Sequence, residues 1–455
     1  MDANILTEKL LSYAAEKLCL EVSDVDFKRA VLNKLFGAEP STAVKECPVP
    51  DFKELYAELK SFLFEKGVDD VESYARFVIG LLQPLPSAVD KTFKLTKERV
   101  SSKKAQEYLV SLVKAGGYLG NVTFKPISQQ NKTVCVYLID EVLPETGVSD
   151  CDSFNNRSVT FGIDGEYLYY LDCRGDYNEQ GGLYNFDKTP FVLNERSLDA
   201  MFGFVDNLTD SFITASFSDG NGDRAADKFV VGRETLPLFN AEAVSVLRSE
   251  VCPDVEVNVT SHALSSVRFS SYNKITMIRL MDEVLSKWLS LGSDDSLAEP
   301  KKRYAPFALR LLPDGRYSAD VVFCYGESSF TLNDSPVAKL FVNLSEYSRC
   351  FGKFIINPET AALIKKATKF ITGKEQFNYG AVKSSDEFYE LADVIAVAAK
   401  TSGVIKDEQR AEAAVYEALR SSVVTELKIS DGFNEDGAGL LRLKTFLSSC
   451  GIKQI

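Results

Sequence analysis

Histidine is nearly absent from this sequence of 455 residues, which contains only His262. A mechanism that needs two histidines is therefore excluded, and so is a metal site built from several histidines. No two of the nine cysteines form a C-x-x-C pair, and no apolar run approaches the ~20 residues that span a bilayer. We therefore expect no zinc site, no other cofactor and no membrane-spanning helix.

Positively charged residues are also outnumbered. The sequence has 52 Lys and Arg residues and 65 Asp and Glu residues, which gives a net charge of −13. An acidic chain repels phosphate backbones and anionic lipids, so neither nucleic acid nor a membrane is the expected partner. The first residues carry Asp2 where a signal peptide needs positive charge. Together with the odd number of cysteines, this predicts a cytoplasmic protein with reduced thiols.

Residues 1–115 show the spacing of amphipathic helices. One apolar stripe runs from Phe52 to Leu63 and stops at Gly67, and another runs from Tyr74 to Leu82 before Pro84. Such stripes are nearly always packing faces. We interpret this part as a helical N-terminal region.

Strand patterns begin at about residue 116. Asp164-Gly165 and Asp314-Gly315 each separate two runs of β-forming residues, which predicts two hairpins. An amphipathic helix follows the first hairpin, with Asn194 as its N-cap, and another precedes the second. The interpretation is an α+β fold in which residues 116–255 and 256–455 form two units, each pairing a hairpin with helices.

Two capping patterns predict the later helices. Asn357-Pro358 places proline at the first position of a helix that ends before Gly373. Ser384 and Glu387 have the spacing of a capping box and predict the start of another helix.

Several segments, in chain order, resemble the galactose-1-phosphate uridylyltransferases of the second bacterial class. Gly165-Glu166-Tyr167, followed by Tyr177-Asn178-Glu179, resembles their G-E-x…Y-N-E-H strand pair. The other similar segments are residues 24–36, the helix 198–208, Ser266-Val267-Arg268, the helix ending at Lys287-Trp288, and residues 351–358. The resemblance covers about three quarters of the chain. It implies two histidine-triad-like half-barrel units, each an antiparallel sheet with helices on one face.

The resemblance also implies a chemistry whose residues are altered here. In the family motif H-D-H-F-Q-G-G, the second histidine attacks the α-phosphorus of a UDP-sugar, sugar 1-phosphate leaves, and the glutamine holds the phosphate oxygens. The matching stretch places Ala226 at the first histidine, Lys228 at the nucleophile and Val230 at the glutamine. Covalent transfer needs a nucleophile, a route for its proton and donors for the phosphoryl charge. We therefore expect no catalytic residue at these positions and an inactive protein.

At other positions of the family motifs, the residue that the family uses is also replaced. The nucleotide loop G-S-N-A-D corresponds to residues 215–219, in which Phe217 replaces the asparagine. Gln180 stands at the histidine of Y-N-E-H, the metal pair falls on Cys135 and Leu138, and residues 341–346 replace a histidine-rich segment. By resemblance, Ser216, Asp219 and Asn178 are the remaining candidates for contact with a nucleotide. His262 matches none of these positions, and we expect a hydrogen-bonded structural histidine there.

Three functions stay open at this point. The first is a catalytically silent relative that binds a UDP-sugar or a sugar 1-phosphate and has a regulatory role in sugar-nucleotide metabolism. The second is an active nucleotidyltransferase that uses Lys228, which would need an amine held neutral by burial or by like charge from Arg224 and Arg233. The third is a structural partner, as a homodimer or in a mixed dimer with an intact uridylyltransferase.

Overall fold

A computed structural model of the chain describes residues 2–38, 48–117, 124–127, 132–139, 158–162, 165–171, 175–218, 225–291, 302–326, 335–343, 346–433 and 437–454. The α-helices of these residues are α1 (Ala3–Lys17), α2 (Val22–Phe36), α3 (Phe52–Glu65), α4 (Val71–Leu82), α5 (Pro86–Arg99), α6 (Ser102–Ala115), α7 (Glu195–Asn207), α8 (Lys274–Ser290), α9 (Glu346–Cys350), α10 (Pro358–Ile371), α11 (Tyr379–Lys383), α12 (Ala392–Ser402), α13 (Glu408–Leu427) and α14 (Gly437–Ser449). None of the helices in the described part of the chain is long and apolar enough to span a membrane.

The strands of the same residues are β1 (Phe124–Pro126), β2 (Cys135–Ile139), β3 (Ser158–Phe161), β4 (Tyr167–Leu171), β5 (Gly181–Asn185), β6 (Phe191–Val192), β7 (Phe212–Ala215), β8 (Ala225–Ala226), β9 (Phe229–Gly232), β10 (Ala243–Ser249), β11 (Glu256–Thr260), β12 (Ser266–Ser271), β13 (Lys302–Tyr304), β14 (Phe307–Leu311), β15 (Tyr317–Val322), β16 (Cys324–Gly326), β17 (Lys353–Ile356) and β18 (Ile452–Gln454). The α+β class, with a helical N-terminal region and a large antiparallel sheet, is confirmed.

The chain forms two compact units. Met1–Asn121 and Val142–Arg174 make the first unit, and Val122–Glu141 with Gly175–Ile455 make the second. The relation between residues 116–255 and 256–455 stays a prediction, which a superposition of their sheet-and-helix cores would test.

The first unit is built from α1–α6 and the hairpin of β3 and β4. The Tyr13 hydroxyl donates to the Ala115 carbonyl at 2.7 Å and so joins α1 to the end of α6. The Thr160 amide donates to Asp90 at 2.7 Å, which ties the hairpin to α5. Strands β3 and β4 pair from Ser158↔Tyr170 to Phe161↔Tyr167, so the hairpin predicted around Gly165 is confirmed. Asp164 lies outside the described residues.

The main sheet of the second unit has the strand order β18-β10-β11-β12-β15-β14-β7-β9-β5, and its neighbours pair antiparallel. Because side chains alternate along a strand, cross-strand partners form rows on one face. One row is almost fully buried and apolar, and comprises Val231, Ile213, Leu309, Ala319, Phe269, Val257 and Leu247. Helices α7 and α8 cover this face, where Phe202 of α7 packs on Tyr317 at a ring separation of 5.1 Å.

The opposite face of the same sheet carries polar side chains. Its central row comprises Asn258, Arg268, Asp320, Ala308, Thr214 and Val230. A 3₁₀ turn, Pro237–Asn240, lies against this face, since the Leu238 and Phe239 carbonyls accept from Arg268. Val230, at the position of the motif glutamine, therefore lies on the face that α7 and α8 leave uncovered.

The capping predictions have mixed outcomes. Asn194 accepts from the Ser197 amide at 2.9 Å, and Pro358 is the first residue of α10 with Asn357 as its N-cap, as predicted. The capping box is wrong, because Ser384 is the C-cap of α11 and the next α-helix begins only at Ala392. Ser385 instead accepts from the Glu387 amide at 3.2 Å within a turn, a local bond that the same residue types also make outside helices.

Candidate functional site

The position of the motif glutamine lies inside β9 and is apolar. Val230 is 8% exposed and belongs to the same hydrophobic cluster as Tyr177, Phe212 and Phe239. Only its main chain makes a polar contact that the structure shows, as the carbonyl accepts from the Thr214 hydroxyl at 3.1 Å. The side chain at this position can exclude water, but it has no donor for a phosphate oxygen.

The nucleophile position precedes β9. Lys228 is half-buried, and its amine lies 6.0 Å from the ring centroid of Tyr184, at the outer limit of a cation–π contact. The face of an aromatic ring attracts a cation. Ala226, at the first histidine position, pairs with Phe191 between β8 and β6, and its methyl group can take no part in proton transfer.

Phe217 replaces the asparagine of the nucleotide loop and packs inward. Its ring is 1% exposed, lies 6.3 Å from Phe307 in a stacked arrangement, and meets Phe229 edge-on at 6.4 Å. Ser216 beside it is half-buried. Asp219, the other candidate in this loop, lies outside the described residues. The aromatic side chain therefore fixes this segment as part of the core.

Asn178 is held by a hydrogen-bonded turn next to β9. Its side-chain amide donates to Oε2 of Glu234 at 3.0 Å, and its carbonyl accepts from the Arg233 amide at 3.0 Å. Gln180, at the histidine position of Y-N-E-H, is buried and accepts from the Tyr177 amide at 3.3 Å. The Asn178 side chain thus ties the turn to the residue Glu234 after β9, whereas the Gln180 side chain accepts a bond within the turn.

A buried ion pair lies behind Asn178. The Lys353 amine contacts Oε1 of Glu234 at 2.5 Å, and the lysine side chain is fully buried. Burial lowers the pKa of Lys353 and raises the pKa of Glu234, while each partner opposes the shift of the other. Three rings surround the amine, with centroids at 3.9 Å for Phe124, 5.0 Å for Tyr137 and 5.7 Å for Tyr177.

Polar bonds extend from the Lys353 strand to Asp176. Asn343 donates to the Lys353 carbonyl at 3.0 Å and to the Ser348 hydroxyl at 2.7 Å. Ser348 in turn donates to Oδ2 of Asp176 at 2.6 Å. Sequence reasoning missed this network; the usable signal was the charge of Lys353 inside the apolar run 351–356, because buried charges need partners.

The one histidine is structural in its contacts. His262 is 5% exposed, and its Nε2 lies 2.9 Å from the Cys350 carbonyl. A carbonyl only accepts, so Nε2 carries the proton and Nδ1 does not. Burial lowers the pKa of His262 to about 4, against a weaker upward effect of that hydrogen bond.

The candidate metal position shows no ligand cluster in the part of the chain that the structure describes. There, no group of three or more His, Cys, Asp or Glu side chains is arranged to hold a metal ion. Cys135 is buried and its thiol donates to the Lys132 carbonyl at 3.2 Å. The residues present at this position do not fit a zinc site, which needs four such ligands.

The sequence of the chain is similar to those of several proteins named galactose-1-phosphate uridylyltransferase. The chain is 22% identical to a galactose-1-phosphate uridylyltransferase of Caldanaerobacter subterraneus subsp. tengcongensis, over 100% of this chain and 99% of that protein. Two further proteins of that name match part of the chain: one from Lactococcus lactis subsp. lactis (23% identical, 57% of this chain and 61% of the other) and one from Clostridium perfringens (22%, 65% and 67%). No family model and no solved structure matches. The resemblance to galactose-1-phosphate uridylyltransferases is thereby confirmed.

Proposed function

We propose that this chain is a catalytically silent relative of the uridylyltransferases, which binds a UDP-sugar or a sugar 1-phosphate and acts in sugar-nucleotide metabolism by binding. The main observation behind the proposal is the chemical nature of the side chain at position 230, which is a valine. An apolar side chain in a buried cluster stands where the resemblance requires a donor to phosphate. Stabilisation of the charge that develops in the transition state is commonly the largest catalytic contribution. Without a donor at this position, the transfer reaction loses that contribution.

The neighbouring positions support the same conclusion. Ala226 has no proton to exchange, and the amide of Gln180 is neither acid nor base at neutral pH. Asn178, the candidate for nucleotide contact, already donates to Glu234. A ligand could still reach Ser216, which is half-buried.

The alternative is an active nucleotidyltransferase with Lys228 as nucleophile. Attack on phosphorus requires a neutral amine, and the ring of Tyr184 favours the charged one. Arg233, which could oppose that charge, is paired with Glu179 at 3.0 Å. The contact with the Tyr184 ring therefore supports a structural cation at Lys228.

The test is to incubate the protein with UDP-glucose labelled in its uridine part and to measure intact mass. We expect no uridylyl adduct, because loss of the covalent nucleophile costs on the order of 10⁶-fold in rate in a serine protease, an enzyme that also works through a covalent intermediate. The Clostridium perfringens relative, treated in parallel, is the positive control. An adduct that disappears in Lys228→Ala but persists in Lys339→Ala would establish the altered enzyme and refute the silent relative.

Binding is measured separately, by calorimetry with UDP-glucose and with galactose 1-phosphate. Saturable binding without an adduct is the expected result. If the ligand contacts residues 215–219, which correspond to the nucleotide loop of the family, Ser216→Ala should weaken binding. Neither adduct nor binding would favour the third function, a structural partner. Co-elution with an intact uridylyltransferase in size-exclusion chromatography would then distinguish a mixed dimer from a homodimer.

A further inference from the structure

Two side chains of the second unit share the carboxylate of Glu234. The Lys353 amine contacts its Oε1 at 2.5 Å, and the side-chain amide of Asn178 donates to its Oε2 at 3.0 Å. Lys353 lies in β17, Asn178 precedes β5 and Glu234 follows β9, so three separate segments of the chain meet here. An amine and a carboxamide are therefore held on the two oxygens of one acid.

The surroundings of the amine exclude water. The Lys353 side chain is fully buried, and its amine lies within 5.7 Å of the ring centroids of Phe124, Tyr137 and Tyr177. Burial lowers the pKa of Lys353 and raises the pKa of Glu234, although the ion pair opposes both shifts. Both shifts favour transfer of the proton from the amine to Glu234. A neutral amine of this kind is a nucleophile.

Asn178 carries the group that such an amine can attack. Its main chain is fixed, since its carbonyl accepts from the Arg233 amide at 3.0 Å. The residue is half-buried, so a small molecule released from its side chain can reach solvent. A carboxamide needs a proton on its leaving nitrogen before it can be displaced, and the acid that contacts this nitrogen is Glu234.

We propose that Lys353 and Asn178 form an intramolecular isopeptide bond, with Glu234 as the general acid and base. The neutral amine nitrogen attacks Cγ of Asn178 and forms a C–N bond, and the Cγ–Nδ2 bond then breaks. Glu234 takes a proton from the attacking nitrogen and gives one to Nδ2, which leaves as ammonia. The product is a secondary amide, Glu234 ends in the state in which it began, and no further reactant is consumed.

The shared carboxylate supplies the proximity that this reaction needs. Attack requires the amine to come within about 3–3.5 Å of the carbonyl carbon. Because both groups bond to Glu234, they stay adjacent, and the approach depends only on side-chain rotation within this contact. The reaction involves no nucleotide, so its outcome is independent of the function proposed above.

The experiment measures the intact mass of the full chain without any ligand, directly after purification and again after prolonged incubation at neutral pH. We expect the protein to be lighter than its sequence mass by one molecule of ammonia. Trypsin should then release residues 175–188 and 350–365 as one linked species, because trypsin does not cut after an acylated Lys353. Fragmentation of this species should place the link at Asn178 and not at Asn185.

The decisive variant is Asn178→Ala. It leaves the pair of Lys353 and Glu234 in place, so no buried charge loses its partner. We expect the full sequence mass and no linked peptides. Asn185→Ala is the matched control, because Asn185 lies in the same tryptic peptide but its side-chain amide donates to the Thr189 carbonyl at 2.7 Å. This control should keep both the loss of ammonia and the link.

A second variant tests the role of the acid. Glu234→Gln keeps the size of the side chain and should slow bond formation about 100-fold or more, since a positioned acid and base contributes that much. In denaturing electrophoresis, the wild type should migrate faster than Asn178→Ala, because the bond closes a loop of more than one hundred residues.

Three outcomes would overturn the proposal. The first is a wild-type protein that still has its full sequence mass after incubation. The second is loss of ammonia without linked peptides, which would mean a succinimide formed within one asparagine. The third is loss of water in place of ammonia, which would mean that Lys353 reacts with a carboxylate.

Discussion

The amine of Lys353 lies 2.5 Å from Oε1 of Glu234, and its side chain is fully buried behind the turn that carries Asn178. Glu234 thus bridges β17 and that turn, since its two oxygens take Lys353 on one side and Asn178 on the other. Through this bridge, the position of Asn178, a candidate for contact with a nucleotide, depends on β17. That strand follows Asn178 in the chain by more than one hundred residues.

Replacing Lys353 with methionine should destabilise the protein by about 3–5 kcal/mol, because Glu234 would be left as a buried, uncompensated charge. Urea unfolding measures the change. Lys453→Met is the matched control, since its pair with Glu250 is exposed on both sides and should contribute at most about 1 kcal/mol. The double variant Lys353→Met, Glu234→Gln should recover part of the lost free energy of unfolding. If its loss equals the sum of the losses of the two single variants, this account is wrong.

His262 should make stability fall in acid. Its pKa is about 4 in the folded protein against 6.5 as the ordinary value, so the unfolded chain binds a proton first. The stability that neutral His262 contributes is complete above pH 6.5 and declines as pH falls towards 4, by roughly 3 kcal/mol. The difference in unfolding free energy between wild type and His262→Gln, followed against pH, isolates this contribution from that of the carboxylates.

Nuclear magnetic resonance gives an independent measure of the same group, because the chain has one histidine and therefore one set of imidazole signals. The ring proton shifts of the folded protein should show no titration near pH 6.5. A midpoint there would refute the buried neutral form.

Restoring glutamine at Val230 should cost stability. The amide would enter an apolar cluster that includes Phe212 and Tyr177, and an unpaired buried amide costs about 1–3 kcal/mol. Val246→Gln is the control, as this valine is 47% exposed on β10. Chemical denaturation of both variants tests the prediction, and equal stabilities would show that the Val230 site is already polar or open.

Removal of metal should have no effect. The sequence has one histidine and no C-x-x-C pair, so we expect that chelation and dialysis change neither the melting temperature nor the circular dichroism spectrum. Elemental analysis that finds stoichiometric zinc after this treatment would refute the prediction.

Local patterns predicted elements where the cause of the element is itself local. The Asp314-Gly315 turn needs a residue with positive φ, and Gly315 has φ +84° between β14 and β15. The cap at Asn194 and the proline at the start of α10 depend on neighbours within four residues. Ser384 shows the limit of such reasoning, because its hydroxyl can serve a turn as well as a helix start.

The amino-acid sequence by itself determined the α+β class, the resemblance to the uridylyltransferases and the loss of histidine, since these follow from residue types and their order. Only the tertiary structure decided what surrounds each altered position. The cross-strand register brings Arg268, Arg310 and Asp320 together from three strands, and Lys353 reaches Glu234 across more than one hundred residues. Such contacts follow from how strands align in space, and the pairing of distant strands leaves no periodic trace in the chain.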